Sequence, residues 1–202
     1  MIVIFVRHGE DMSDIYNELG GWSDRGLTSK GIKTAFKLGE KLGNLEKKYG
    51  KYELLLTSPF ARAKQTADVI GSELSIRCEE NLYLKERNTY GLMSGMSKDV
   101  MKNEYPEIYE IFKKAGNMPG SERYDDFVLR IKKLFEKLLM LGKKNVVCVT
   151  HGHLITVLIK EVLRGRMWRV AGGGGLVIKL EKKSIELIDK WGMSQYSQKY
   201  WK

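Results

Sequence analysis

Two short apolar runs constrain this chain more than anything else in it. Residues 2–6, in MIVIFVRHGE, and 146–150, in NVVCVTHGH, are β-branched stretches of strand length. Each stops on a histidine and a glycine. The chain has three histidines, and all of them, His8, His151 and His153, lie just past the ends of these two runs. Both runs read as buried strands, so the sequence between them has to carry the chain away from one sheet position and back to another.

That intervening sequence alternates between the two periodicities. Residues 28–47 predict a helix, with Thr28 as N-cap and Ile32, Ala35, Phe36, Gly39 and Leu42 at helical spacing. A second strand is expected at 53–57. The stretch SPFARAKQTADVIGSEL then opens a helix, with Ser58 as N-cap and Pro59 at the first helical position. A short strand is expected at 75–78. Residues 85–120 are less regular, with a helix at 98–114 interrupted near Pro106, and form a small inserted cap. Residues 125–141 form an amphipathic helix on Phe127, Ile131, Leu134, Phe135 and Leu138. A helix at 154–164 and a terminal hairpin of 176–180 and 185–189 complete the chain. This order predicts one α/β domain over 1–202: three layers, with a largely parallel central sheet flanked by helices.

Composition removes several classes. No apolar stretch approaches the roughly 20 residues that span a bilayer, and the opening run is too short for a secretory signal. A cytoplasmic protein without a membrane partner is expected. Cys78 and Cys148 form no C-x-x-C pair and read as reduced, mostly buried thiols. The net charge of +10 could serve nucleic acid, but the lysines alternate with glutamates on helix faces and no aromatics interleave with them. Nucleic acid is therefore a disfavoured partner, and a small anionic substrate the favoured one.

In an open α/β sheet, ligands bind at the carboxyl ends of the strands. Arg7, His8, Arg62 and His151 all follow predicted strands at that edge. Two arginines, two histidines and a helix start describe a pocket for an oxyanion. An imidazole kept neutral by nearby cations can attack phosphorus, and a carboxylic acid could protonate the leaving alkoxide. The residues contain no metal-ligand pattern, so no metal or other cofactor is expected. GGGG at 172–175 lacks the context of a nucleotide-binding loop. It reads as backbone passing close to the pocket or as a flexible turn.

In order along the chain, RHGE at 7–10, GGWSDRGLTSKG at 20–31, TSPFARAKQTA at 57–67, LKERNTYGLMSGM at 84–96, GSERYDDFVLR at 120–130 and VTHGH at 149–153 resemble the histidine phosphatase superfamily, in its cofactor-dependent phosphoglycerate mutase-like branch. The resemblance implies that His8 accepts the phosphoryl group, that Arg7, Arg62 and His151 hold its oxygens, and that Glu86 donates the proton. It places Asn17 against the phosphate, although Asn17 lies nine residues after His8, further than in typical mutases. Ser58, Arg87, Tyr90 and Gly152 are further candidates for substrate contact, with Ser58 either supporting the pocket or only capping its helix. Glu10 and His153 read as supporting residues. Met93, Met96 and Met101 line a cap surface or stand exposed. Trp191, Tyr196, Tyr200 and Trp201 form an aromatic tail that packs on the body or meets a second copy, so the chain is a monomer or a homodimer. The segment between Tyr90 and Gly120 lacks the long proline-containing insertion, with its paired arginine, of typical mutases. The favoured function is a metal-independent phosphomonoester hydrolase. The alternatives are a phosphoglycerate mutase and, in another class, a non-catalytic phosphoester- or nucleic-acid-binding protein.

Overall fold

The computed structural model of the chain describes residues 1–116 and 118–195. The strands are β1 (Ile2–Arg7), β2 (Leu54–Thr57), β3 (Cys78–Glu80), β4 (Asn145–Thr150), β5 (Trp168–Leu180) and β6 (Ile185–Gln195). The helices are α1 (Met12–Ile15), α2 (Ser29–Tyr49), α3 (Ala61–Leu74), α4 (Lys98–Glu104), α5 (Pro106–Ala115), α6 (Tyr124–Met140) and α7 (Gly152–Val157). One six-stranded sheet runs in the order β3-β2-β4-β1-β5-β6. The first four strands are parallel, and β5 and β6 are antiparallel additions.

The unbroken apolar runs are explained by the two cores. Val3, Phe5, Val146 and Cys148 face Phe127, Ile131, Leu134 and Leu138 of α6 and Leu154 and Ile155 of α7. Their neighbours Ile4, Val6, Val147 and Val149 face Leu38 and Leu42 of α2 and Ala63, Ala67 and Ile70 of α3. Side chains alternate across a strand, so a strand covered on both faces must be apolar at every position. The register then sets the rim: Arg7 pairs with Thr150 and Thr57 with Val149. Strands β1, β2 and β4 therefore end level with one another.

Several local expectations are revised. Along α2 the buried stripe is Ala35, Leu38, Gly39 and Leu42, whereas Ile32, in the first turn, and Phe36, one residue round from Ala35, are 43% and 49% exposed. Gly39 lets α2 approach α3: a Cβ there would sit 2.9 Å from Cγ of Glu73. The short strand lies at Cys78–Glu80 rather than 75–78, and α7 loosens into a wide π turn at Leu158–Val162 instead of running on to 164. The GGGG run is not a turn. It lies within β5, next to a register shift against β6, where Trp191 covers Gly175 and donates through Nε1 to the Gly173 carbonyl at 2.8 Å. Tyr196, Tyr200 and Trp201 fall outside the described residues.

The cap divides at Pro106 as expected, with Tyr105 ending α4 and preceding α5. Met101 is fully buried there and joins Leu19 and Met118 in a small separate core, with Met93 and Met96 against it. The methionines thus pack the cap onto the 17–20 segment instead of standing free. Thiol environments differ: Cys148 is buried at the centre of the sheet, while Cys78 is partly exposed on the edge strand. Among the described residues, no helix is long and apolar enough to cross a membrane.

Candidate active site

His8 follows β1 directly and is 4% exposed. Its Nδ1 lies 2.6 Å from the Gly9 carbonyl oxygen, and its Nε2 lies 3.2 Å from Nε of Arg62. A carbonyl only accepts and a guanidinium only donates, so the proton resides on Nδ1 and the lone pair on Nε2. Burial, then Arg62 and Arg7, push the pKa of His8 well below that of a free histidine. The ring is neutral, with its lone pair turned toward positive charge. Gly9 is required by packing: a side chain there would collide with the backbone of Gly31 at the start of α2.

The cations come from separate elements. Arg62, in the first turn of α3, is nearly fully buried. It donates to the carbonyls of Ser23 and Gly21 at 2.5 and 2.9 Å. Arg7 ends β1 and donates through one terminal nitrogen to the Val170 carbonyl at 2.7 Å. Its buried Nε has no partner among the described residues. Gly152 makes room for this side chain, since a Cβ would stand 3.3 Å from Cδ of Arg7.

His151 is fully buried, and its ring meets that of His8 edge-on at 5.0 Å between centroids. Ser58 does not cap a helix. The helix begins at Ala61, whose N–H is received by Asp24 at 2.6 Å. The Ser58 hydroxyl lies instead 2.7 Å from Nε2 of His151, and at 3.5 Å it receives the Phe60 N–H. The contact with Ser58 occupies Nε2, with donor and acceptor set by the ring's tautomer, and leaves Nδ1 as the other ring nitrogen. This atom is buried and unpartnered among the described residues. Burial is the first cause of the lowered pKa of His151, followed by Arg62 and His8.

Glu86 reaches the site from a stretch without helix or strand. Its carboxylate receives the N–H of Arg87 at 2.9 Å and that of His153 at 3.2 Å. A cavity of about 270 Å³ is lined by Arg7, His8, Asp11, Arg62, Glu86 and Lys98, among others, with Arg87 and Tyr90 on its wall. A larger groove of about 920 Å³ lies on the other side of Arg7, against Lys30, Thr34 and Arg169, and touches neither histidine. Of the residues expected to react, His8, Arg7, Arg62 and Glu86 line the smaller cavity, while His151 lies behind His8 and does not. Glu10 supports the rim by accepting from Thr28 and Lys30. The ring of His153 meets Phe127 edge-on.

Asn17 is placed differently from the expectation. It is exposed, adopts φ 51°, and bonds Asp99 and Lys98 of α4 rather than lining the cavity. Asp11 was not singled out by sequence. It is 4% exposed, with Oδ2 3.4 Å from Nε of Arg62 and 3.8 Å from Nδ1 of His8. Its other oxygen accepts from the backbone and hydroxyl of Ser13, so that Asp11 is the N-cap of α1. The readable signal was an aspartate three residues after a candidate nucleophile.

This arrangement coincides with a sequence profile for the histidine phosphatase superfamily, branch 1, which matches residues 3–181. The chain belongs to that superfamily. Among its curated relatives, a 2,3-bisphosphoglycerate-dependent phosphoglycerate mutase of Rhodopseudomonas palustris (strain BisB18) is 30% identical over 191 residues, covering 88% of this chain and 90% of the relative. Two solved structures share the fold. The α-ribazole phosphatase of Shigella flexneri superposes with TM-score 0.80 at 21% identity, over 93% of this chain and 95% of its own. A mycobacterial glucosyl-3-phosphoglycerate phosphatase gives 0.78 at 20% identity, over 96% and 99%.

Proposed function

We propose that this member of the superfamily is a metal-independent phosphomonoesterase that works through a phosphohistidine on His8. The observation that carries the reading is the His8 ring itself: Nδ1 is committed to the Gly9 carbonyl and the Nε2 lone pair stands among arginines. In the first half-reaction, Nε2 attacks phosphorus and the P–O bond to the leaving group breaks. Glu86 gives its proton to the departing alkoxide. Arg7, Arg62 and His151 stabilise the charge on the transferring group's oxygens, work that a metal ion does elsewhere. In the second half-reaction, water attacks phosphorus, Glu86 takes its proton, and the P–N bond returns its electrons to His8. Orthophosphate leaves and the enzyme is restored.

The cap supports hydrolysis over mutation of position. Among the described residues, α4 and α5 bring one basic side chain, Lys98, to the cavity of His8 and Glu86. A mutase has to bind its intermediate firmly in two orientations, which calls for more cations at the far end. The second reading, a phosphoglycerate mutase, rests on the name carried by the Rhodopseudomonas palustris relative. Phosphate release from p-nitrophenyl phosphate in EDTA, by wild type and His8→Ala, tests the proposal. Turnover is expected in wild type and a fall of about 10⁴-fold or more in the variant. Loss of wild-type activity in EDTA, or its survival in His8→Ala, overturns it. Isomerisation of 3-phosphoglycerate primed by 2,3-bisphosphoglycerate, without net phosphate release, would establish the mutase instead.

A further inference from the structure

The proton donor is carried by a stretch that no regular element holds. Glu86 lies between a 3-10 turn at Leu82–Leu84 and another at Gly91–Met93. The carbonyls of such a stretch must find donors elsewhere. Three of them, those of Tyr83, Lys85 and Glu86, meet a single side chain, Arg130 of α6, 15% exposed. One terminal nitrogen donates to the carbonyls of Tyr83 at 2.9 Å and Lys85 at 2.8 Å. The other donates to the Glu86 carbonyl at 3.2 Å and to Oε2 of Glu122 at 2.9 Å. Nε donates to Oε1 of Glu122 at 2.9 Å. All five N–H groups of the guanidinium are thus used, and Glu122 balances its charge.

Glu122 holds the same stretch from its other side. Its backbone N–H donates to the Asn88 carbonyl at 2.8 Å. Its carbonyl receives Nε of Arg87 at 3.1 Å, and its carboxylate receives the Asn88 N–H at 3.4 Å. The Arg130 guanidinium also lies over the Phe127 ring, 4.8 Å from its centroid, so α6 fixes its direction. Trp22 adds a more exposed anchor, its Nε1 donating to the Glu86 carbonyl at 2.8 Å.

We infer that Arg130 and Glu122 form a positioning pair that sets where the Glu86 carboxyl stands relative to the leaving-group oxygen. This rests on Glu86 being the proton donor of the proposed phosphatase. Neither residue lines the cavity, so the pair acts through the backbone of 83–88. A planar fork that bonds a carboxylate and three carbonyls at once has no lysine equivalent.

Leaving-group dependence separates positioning from bulk stability. An alkoxide needs a proton as it departs, and a p-nitrophenolate does not. The value of kcat/KM reports phosphoenzyme formation alone. For Arg130→Met, kcat/KM on glycerol 2-phosphate is expected to fall about 100-fold, against roughly threefold or less on p-nitrophenyl phosphate, approaching the discrimination of Glu86→Gln. Arg130→Lys and Glu122→Gln, which retain more of the packing, should show the same skew in smaller measure. Equal losses on both esters in a folded variant, or no loss on either, overturn the inference. Amide hydrogen exchange supplies a readout free of turnover. Protection should drop at 83–88 in the variants while β1 and β4 keep theirs, and unchanged protection at 83–88 also overturns it. Should wild type hydrolyse neither ester, the phosphatase reading fails, and the exchange measurement still decides the pair.

Discussion

His8 stands one residue beyond a strand paired on both sides, by β4 and by β5, whereas Glu86 stands on irregular backbone tied down by side chains from α6 and from the 20–24 loop. The two halves of the candidate site are mounted in different ways. The phosphoryl half inherits its geometry from the sheet register, which cannot slip without turning buried residues outward. The leaving-group half depends on a handful of polar bonds and on a cap with its own small core. Such a division suits one chemistry applied to varied esters. In the proposed reaction the phosphoryl group, common to all of them, would meet the rigid half, and the variable remainder the half that loops can reshape.

The largest test of this division is Glu86→Gln. Its kcat/KM on an alkyl phosphate should fall by about 10²–10⁴-fold, with a far smaller fall on p-nitrophenyl phosphate. Equal losses would erase the distinction between the halves. Acid pH probes the sheet side next. Burial leads the causes that hold His8, His151 and His153 below the ordinary histidine pKa of 6.5. Below that pH the unfolded chain takes up protons that the folded chain refuses, so stability is full above it and declines as pH falls. The decline should reach up to about 1.4 kcal/mol per pH unit for each such histidine, read from urea unfolding between pH 7 and 5. His151→Asn should flatten it. By the same depression, the acid limb of kcat/KM arising from His8 should lie well under 6.5.

Ser58→Ala sharpens the comparison at a smaller scale. Without its hydroxyl, Nε2 of His151 loses its hydrogen-bond partner and the ring is held less firmly. About a 10-fold loss of kcat/KM is expected, the same on alkyl and aryl esters because the phosphoryl half serves both. A loss confined to alkyl esters would contradict the placement of Ser58. The mildest effect should come from Gly152→Ala, whose Cβ presses on Arg7 at 3.3 Å. Roughly a threefold loss is expected, again indifferent to leaving group, since a flexible side chain can yield a few tenths of an ångström.

The sequence was most readable where the sheet dictates the outcome. The short apolar run of 146–149 reads as a strand covered on both faces, and the register of the parallel strands makes their ends level, bringing Arg7, His8, Arg62 and His151 to one rim. The Pro106 break and the α6 stripe were likewise local in origin. Legibility ended where partners are distant and the backbone irregular. Ser58 satisfied every local rule for a helix cap and was taken by a histidine 93 residues on. Arg130 closed the GSERYDDFVLR motif without a role of its own, because nothing periodic marks the carbonyls it serves. Asn17 was placed by analogy of order, and its extra spacing from His8 carried it out to α4. Phe36 fitted an apolar stripe that burial drew along Leu38 instead.

The two cysteines give the sheet a pair of internal clocks. A thiol is alkylated through its thiolate, and burial pushes the Cys148 thiol far up. Under native conditions a reagent must wait for the central strands to part. Cys78 lies on the edge strand, its pKa raised to about 11 chiefly by burial, and it needs only the edge to fray. Labelling the two side by side would time the opening of the outer sheet against the global unfolding of the strand that carries His151, in a single unmodified chain.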